Sequence, residues 1–208
     1  MKKLSLSLVM ALLTLPMAAN AALIQGTPTP FGQPANPIPL FGTLIDFDDQ
    51  PTGTCLAANQ YVADGVTSIT NSLAGALCYF PTSQSAPNYI GTGFANSWDA
   101  DITVQFATAQ AAVGIGIAGP TTLLFELLDA SHNVLETYNL TTTPVNTYYY
   151  INRASNDAVF LHIRGDFVAI DDLQFDVSPV NGTPEPATLA LLGIALAGLG
   201  FSRRRNPD

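Results

Sequence analysis

Beyond Lys3 the 208-residue chain contains no lysine, and it has only two histidines, two cysteines and one tryptophan. Each scarcity excludes something. No G-x-S-x-G, H-E-x-x-H, phosphate loop or Cys–His zinc spacing occurs, so hydrolytic, nucleotide and zinc chemistry lack their usual residues. His132 falls in a turn signal and His162 in an apolar run, where a structural histidine is expected. Paired carboxylates in so acidic a chain weigh little towards glycosidase chemistry. A non-enzymatic protein is therefore expected. Basic residues away from the two ends are limited to Arg153 and Arg164, against fifteen acidic residues up to Pro186. Such a surface repels phosphate backbones and excludes nucleic acid as a partner. Its carboxylates either attract divalent cations or serve only solubility.

Both ends look like addresses. Lys2 and Lys3 precede an apolar run from Leu4 to Pro16, too short to cross a membrane comfortably, and Ala19-Asn20-Ala21 offers the small residues that signal peptidase reads. Residues 1–21 are thus expected to be a signal peptide cut after Ala21, with the Sec export machinery and signal peptidase as partners. At the other end Thr183-Pro184-Glu185-Pro186 is followed by an uncharged run from Ala187 to Phe201 and by Arg203, Arg204 and Arg205. As a helix the run would be about 22 Å long, short of a ~30 Å hydrocarbon core. The arginines would stay cytoplasmic and leave the rest of the chain outside.

Proline-glutamate-proline, a short apolar helix and a terminal arginine cluster, in that order, closely resemble the PEP-CTERM sorting signal. The resemblance implies recognition near Pro184, Glu185 and Pro186 by an exosortase, a membrane transpeptidase-like protease. It also implies a Gram-negative host, often one that makes extracellular polysaccharide. Inner-membrane anchoring would be transient, ending at the cell surface or in the extracellular matrix.

Between the ends, residues 22–40 form a spacer rich in proline (Pro28, Pro30, Pro34, Pro37, Pro39). Residues 41–178 read as about ten short strands divided by turn signals, which predicts an all-β, antiparallel two-sheet sandwich. Residues 179–208 form the sorting tail. Thr121 to Leu128 and Val134 to Leu140 make a hairpin around Asp129–Asn133. Cys55 and Cys78, an even pair in an exported chain, are expected to form a disulfide. In the last strand the apolar positions change parity, from Val168 and Ile170 to Leu173, Phe175 and Val177. A β-bulge at Asp171-Asp172 restores the inward face.

The residues Ile45-Asp46-Phe47-Asp48, Tyr61 with Gly65-Val66, and Ala169 to Phe175 resemble jelly-roll, galactose-binding-like sandwiches. That resemblance implies carbohydrate binding or a structural role, with calcium near the first and last strands. Asp46, Asp48, Asp49, Asp171 and Asp172 are the candidate calcium ligands; alternatively they only end strands and cap turns. Trp98 and Tyr89 are candidates for a sugar-stacking platform, against the commoner fate of core burial. Strand alternation puts at least one of Tyr148, Tyr149 and Tyr150 on the opposite face from its neighbours. The functional expectation is an exported surface or matrix protein that binds carbohydrate or matrix. Alternatives are a purely structural biofilm protein and, third, a polysaccharide hydrolase.

Overall fold

In the computed structural model the described residues are 21–26, 41–73, 75–81, 87–92, 99–118, 122–142, 147–166 and 168–177. They form twelve strands and one short 3-10 turn, Val62–Asp64. The strands are β1 (Ala22–Gln25), β2 (Thr43–Ile45), β3 (Val66–Asn71), β4 (Leu77–Pro81), β5 (Asn88–Thr92) and β6 (Ala100–Gln110). They continue with β7 (Ala112–Ala118), β8 (Thr122–Leu128), β9 (Val134–Thr141), β10 (Thr147–Asn152), β11 (Ala158–Gly165) and β12 (Ala169–Asp176).

Alternation explains how they layer. In β6, Ala100, Ile102, Val104 and Phe106 are buried while the residues between them are half-buried. In β8, Leu123, Phe125 and Leu127 behave the same way. Period-two apolar residues give each sheet one greasy face, and two such faces must close on one another. A five-stranded antiparallel sheet, ordered β3-β6-β11-β8-β9, supplies one layer. The other is a seven-stranded antiparallel sheet, ordered β1-β10-β7-β12-β5-β4, with β2 also on β12. Between them lies one core that includes Phe47, Tyr79, Ile90, Ile102, Ile115, Phe125, Tyr149, Ile163 and Leu173. Each fully buried large side chain there contributes roughly 1.5–3 kcal/mol. The arrangement is all-β and compatible with a jelly-roll-like sandwich.

The expected hairpin is β8–β9, and Asp129 closes its turn by accepting the Ser131 and Asn133 amides at 2.8 and 2.9 Å. Cys55 and Cys78 form a disulfide, tying the loop after β2 to β4. Three expectations change. The first four residues of the expected spacer are strand β1, paired with β10 through Ala22↔Asn152 to Gln25↔Tyr149. The run Phe41 to Phe47, whose alternation in the sequence reads as one strand, contributes only three strand residues, because Gly42 and Phe47, on either side of them, have positive φ. Val177, read as inward, is 49% exposed, so the inward set of β12 ends at Phe175.

Candidate functional site

The bulge in β12 lies where its parity change puts it. Asp171 pairs with Gly116 and Gln174 with Gly114, so three steps along β12 face two along β7. Asp172 takes φ +47, the left-handed region that aspartate tolerates better than most residues. The bulge is also where one edge of β12 changes partner. Ala169 and Ile170 pair with β5, and Leu173 to Phe175 pair with β2. The first strand of the expected sandwich therefore lies against the last, and the loop carrying Asp46, Asp48 and Asp49 leaves β2 beside the bulge.

Local hydrogen bonds occupy these carboxylates. Asp46 accepts the Asp48 amide at 3.2 Å, and Asp171 accepts the Asp172 amide at 2.9 Å. Asp48 accepts the Asn88 amide at 2.8 Å; burial, with the charges of Asp46 and Asp49, still raises its pKa above the ordinary value. Asp49 has the opposite balance. Burial pushes its pKa up, but donors from Tyr61, Gln50 and Gln60 outweigh that and hold it below the ordinary carboxylate value. The Tyr61 hydroxyl donates to Asp49 at 2.7 Å and lies 2.8 Å from the Tyr79 hydroxyl. Among the described residues no three His, Cys, Asp or Glu side chains gather as a metal-holding group.

The outer face of the seven-stranded sheet has an uncommon composition. Gly114 and Gly116 on β7 form a floor beside Asp171 and Gln174. The Tyr148 ring lies across Gly114: a Cβ there would meet the Tyr148 hydroxyl at 2.3 Å. Tyr148, Tyr150, Phe41 and Ala112 make a second buried cluster on this face, while Tyr149 points into the core. Burial, then the charge of Asp172, raises the Tyr148 pKa well above normal. Further along the same face Tyr89 stacks on Phe80, with ring centroids 5.6 Å apart and planes at 29°. Both rings are half-buried and border the space above Gly91. Trp98, the other expected platform residue, lies outside the described residues.

His162 is satisfied on both ring nitrogens, by Asp101 at 2.5 Å and Glu126 at 3.0 Å, so it links β6, β11 and β8 as a structural histidine. That is the structural role expected of a histidine in an apolar run, although nothing local in the sequence names its two partners. Burial raises the Asp101 pKa, but hydrogen bonds from His162 and Ser72 and the charges of His162 and Arg164 bring it below the ordinary value.

The functional residues of the tail, Pro184, Glu185, Pro186 and Arg203 to Arg205, also lie outside the described residues. Their pattern is decided by comparison. A family model described as the PEP-CTERM protein-sorting motif matches residues 183–205. The chain carries a PEP-CTERM protein-sorting motif. That motif implies an exported protein, held transiently at the membrane and recognised by an exosortase. Among the described residues no helix is long and apolar enough to cross a membrane. The apolar run before the PEP-CTERM arginines lies outside them. No curated protein matches the chain. Among solved structures, the enzymatically active domain of bacteriophage CBA120 tailspike protein 4 is similar at 16% identity and a TM-score of 0.31. The similarity covers 76% of this chain and 19% of that one.

Proposed function

We propose that this is a non-enzymatic carbohydrate- or matrix-binding sandwich, exported by an N-terminal signal and delivered to the cell surface or extracellular matrix through its PEP-CTERM tail. The motif at residues 183–205 carries the address. The stacked Phe80–Tyr89 pair supports the binding half of the reading. Half-buried aromatic rings beside a glycine offer a flat apolar surface to the C–H face of a sugar, with polar neighbours for its hydroxyls. A glycan array probed with the exported protein tests this. Retention of an extracellular polysaccharide by the wild type, lost in Tyr89→Ala while the variant still unfolds cooperatively well above the assay temperature, is the expected outcome. If no glycan is retained, the binding reading fails and the purely structural alternative stands. Turnover of a polysaccharide would favour the hydrolase.

Calcium belongs to the same proposal, with Asp46, Asp48, Asp49, Asp171 and Asp172 as candidate ligands. The supporting observation is that β2 lies on β12 in the register Leu173↔Ile45, which brings both acidic segments to one strand end. An ion taking six to eight oxygens would turn repulsion there into coordination. Binding to the folded state alone would raise stability by about 2.7 kcal/mol at a hundredfold excess over Kd. Thermal unfolding in chelator and in millimolar calcium reads this directly. A midpoint unmoved by calcium contradicts a stabilising site. A rise that survives Asp48→Ala with Asp172→Ala puts the ion elsewhere.

A further inference from the structure

We infer that removal of the export signal makes the last ion pair of the fold, with the new α-ammonium of Ala22 docking on Glu136 beside Tyr138. The inference rests on the reading that the signal is cut after Ala21.

Strand β1 begins at Ala22, the first residue after that bond. The Tyr138 hydroxyl donates to the Ala21 carbonyl, 3.1 Å away, and the Leu23 amide reaches the same hydroxyl. That hydroxyl also lies 3.4 Å from Glu136 Oε2. A side chain of one sheet thus holds the scissile peptide unit, at the edge of the other, beside a carboxylate. The carboxylate sits in an unbalanced group. Arg153 pairs with both Glu136 and Asp157, so one cation serves two anions. The side chains of Arg153 and Glu136 are each only 15% exposed, which limits solvent screening. The other described cation of the body, Arg164, acts at Asp101.

Hydrolysis supplies the missing charge. Water adds across the Ala21–Ala22 amide. Its oxygen leaves with the signal in the Ala21 carboxylate, and the amide nitrogen becomes the protonated amine of Ala22. With the Ala21 carbonyl gone, Tyr138 turns its proton to Glu136, and the ammonium takes the space the carbonyl held. The pairing also orders events. Ala22 to Gln25 are hydrogen-bonded to Tyr149 to Asn152, so a peptidase that reads extended chain must cut before β1 joins β10.

The sequence provides a clean test. Lys2 and Lys3 leave with the signal, so the processed chain has one primary amine, at its N-terminus. The protein is exported, purified and its first residue identified by mass spectrometry; any start other than Ala22 removes the cleavage reading itself. For a chain starting at Ala22, amine-selective acetylation is followed in the native protein and in urea. The account predicts labelling about tenfold slower in the native protein, as for an amine whose pKa an ion pair raises by one unit. It also predicts a thermal midpoint about 2–4 °C lower once acetylated. Glu136→Gln should abolish both differences. Equal labelling rates, or midpoints unchanged by acetylation, overturn the inference and leave the cleavage reading intact. The comparison on unsubstituted protein holds even if the variant folds poorly.

Discussion

Tyr61 has one hydroxyl proton, and Asp49 takes it. Tyr61 is buried while Asp49 is exposed, so loss of the bond leaves Asp49 with only its Gln50 and Gln60 side-chain donors. Tyr61→Phe should lower stability by about 0.5–1 kcal/mol at pH 7, read by urea unfolding. The same variant should change the acid limb. The folded-state pKa of Asp49 is depressed, so its contribution is present above the unfolded value near 3.9 and is lost as pH falls through the folded value. Without Tyr61's donor that difference shrinks, and the loss below about pH 4 should be shallower than in the wild type. Asp48 has the reverse sign. Burial, then the charges of Asp46 and Asp49, favour its protonated form, so its charge costs stability at neutral pH. Asp48→Asn keeps an oxygen for the Asn88 amide and removes the charge. In chelator it should raise the thermal midpoint at pH 7 and leave it unchanged at pH 3. A lower midpoint at pH 7 would contradict this electrostatic reading.

Among elements, the seven-stranded sheet depends on two glycines for different reasons. Gly42 precedes β2 at φ +55, and a Cβ there would stand 2.0 Å from the Phe175 carbonyl oxygen, a backbone atom that cannot swing aside. At Gly114 the obstacle is the Tyr148 side chain. Gly42→Ala should therefore cost more than Gly114→Ala, for which about 1–3 kcal/mol is expected, and only the latter should be relieved by trimming Tyr148. Chemical denaturation of the two variants and of Gly114→Ala with Tyr148→Leu decides it. The disulfide acts on the unfolded chain instead; replacing both cysteines should cost roughly 3 kcal/mol in the chain-entropy model. Most strands were legible because their apolar residues alternate, and the β12 bulge was legible because Ile170 and Leu173 cannot share a face without it. Strand β1 was not legible. Ala22–Gln25 is four residues long, mostly exposed and joined to a proline-rich run, and only the docking edge of β10 makes it a strand. At the site, sequence supplied the acidic clusters, but long-range pairings set their partners. Asp48 with Asn88 and Asp101 with His162 are 40 and 61 residues apart, distances that no local pattern encodes.

For the whole molecule, carboxylates far outnumber arginines, a balance that disfavours polyanionic partners, and the C-terminal end carries a sorting motif. The PEP-CTERM motif at residues 183–205 is expected to work as an address. Its proline-glutamate-proline step and its arginines flank the apolar run, in the order of the matched motif. The most direct measurement replaces Glu185 and Pro186 together in the native host and follows the protein's size by immunoblot across membrane, surface and medium fractions. The account predicts that the substituted chain stays at its longer, tail-bearing size in the inner membrane and disappears from the surface and medium. A mature size and surface yield equal to those of the wild type would contradict it.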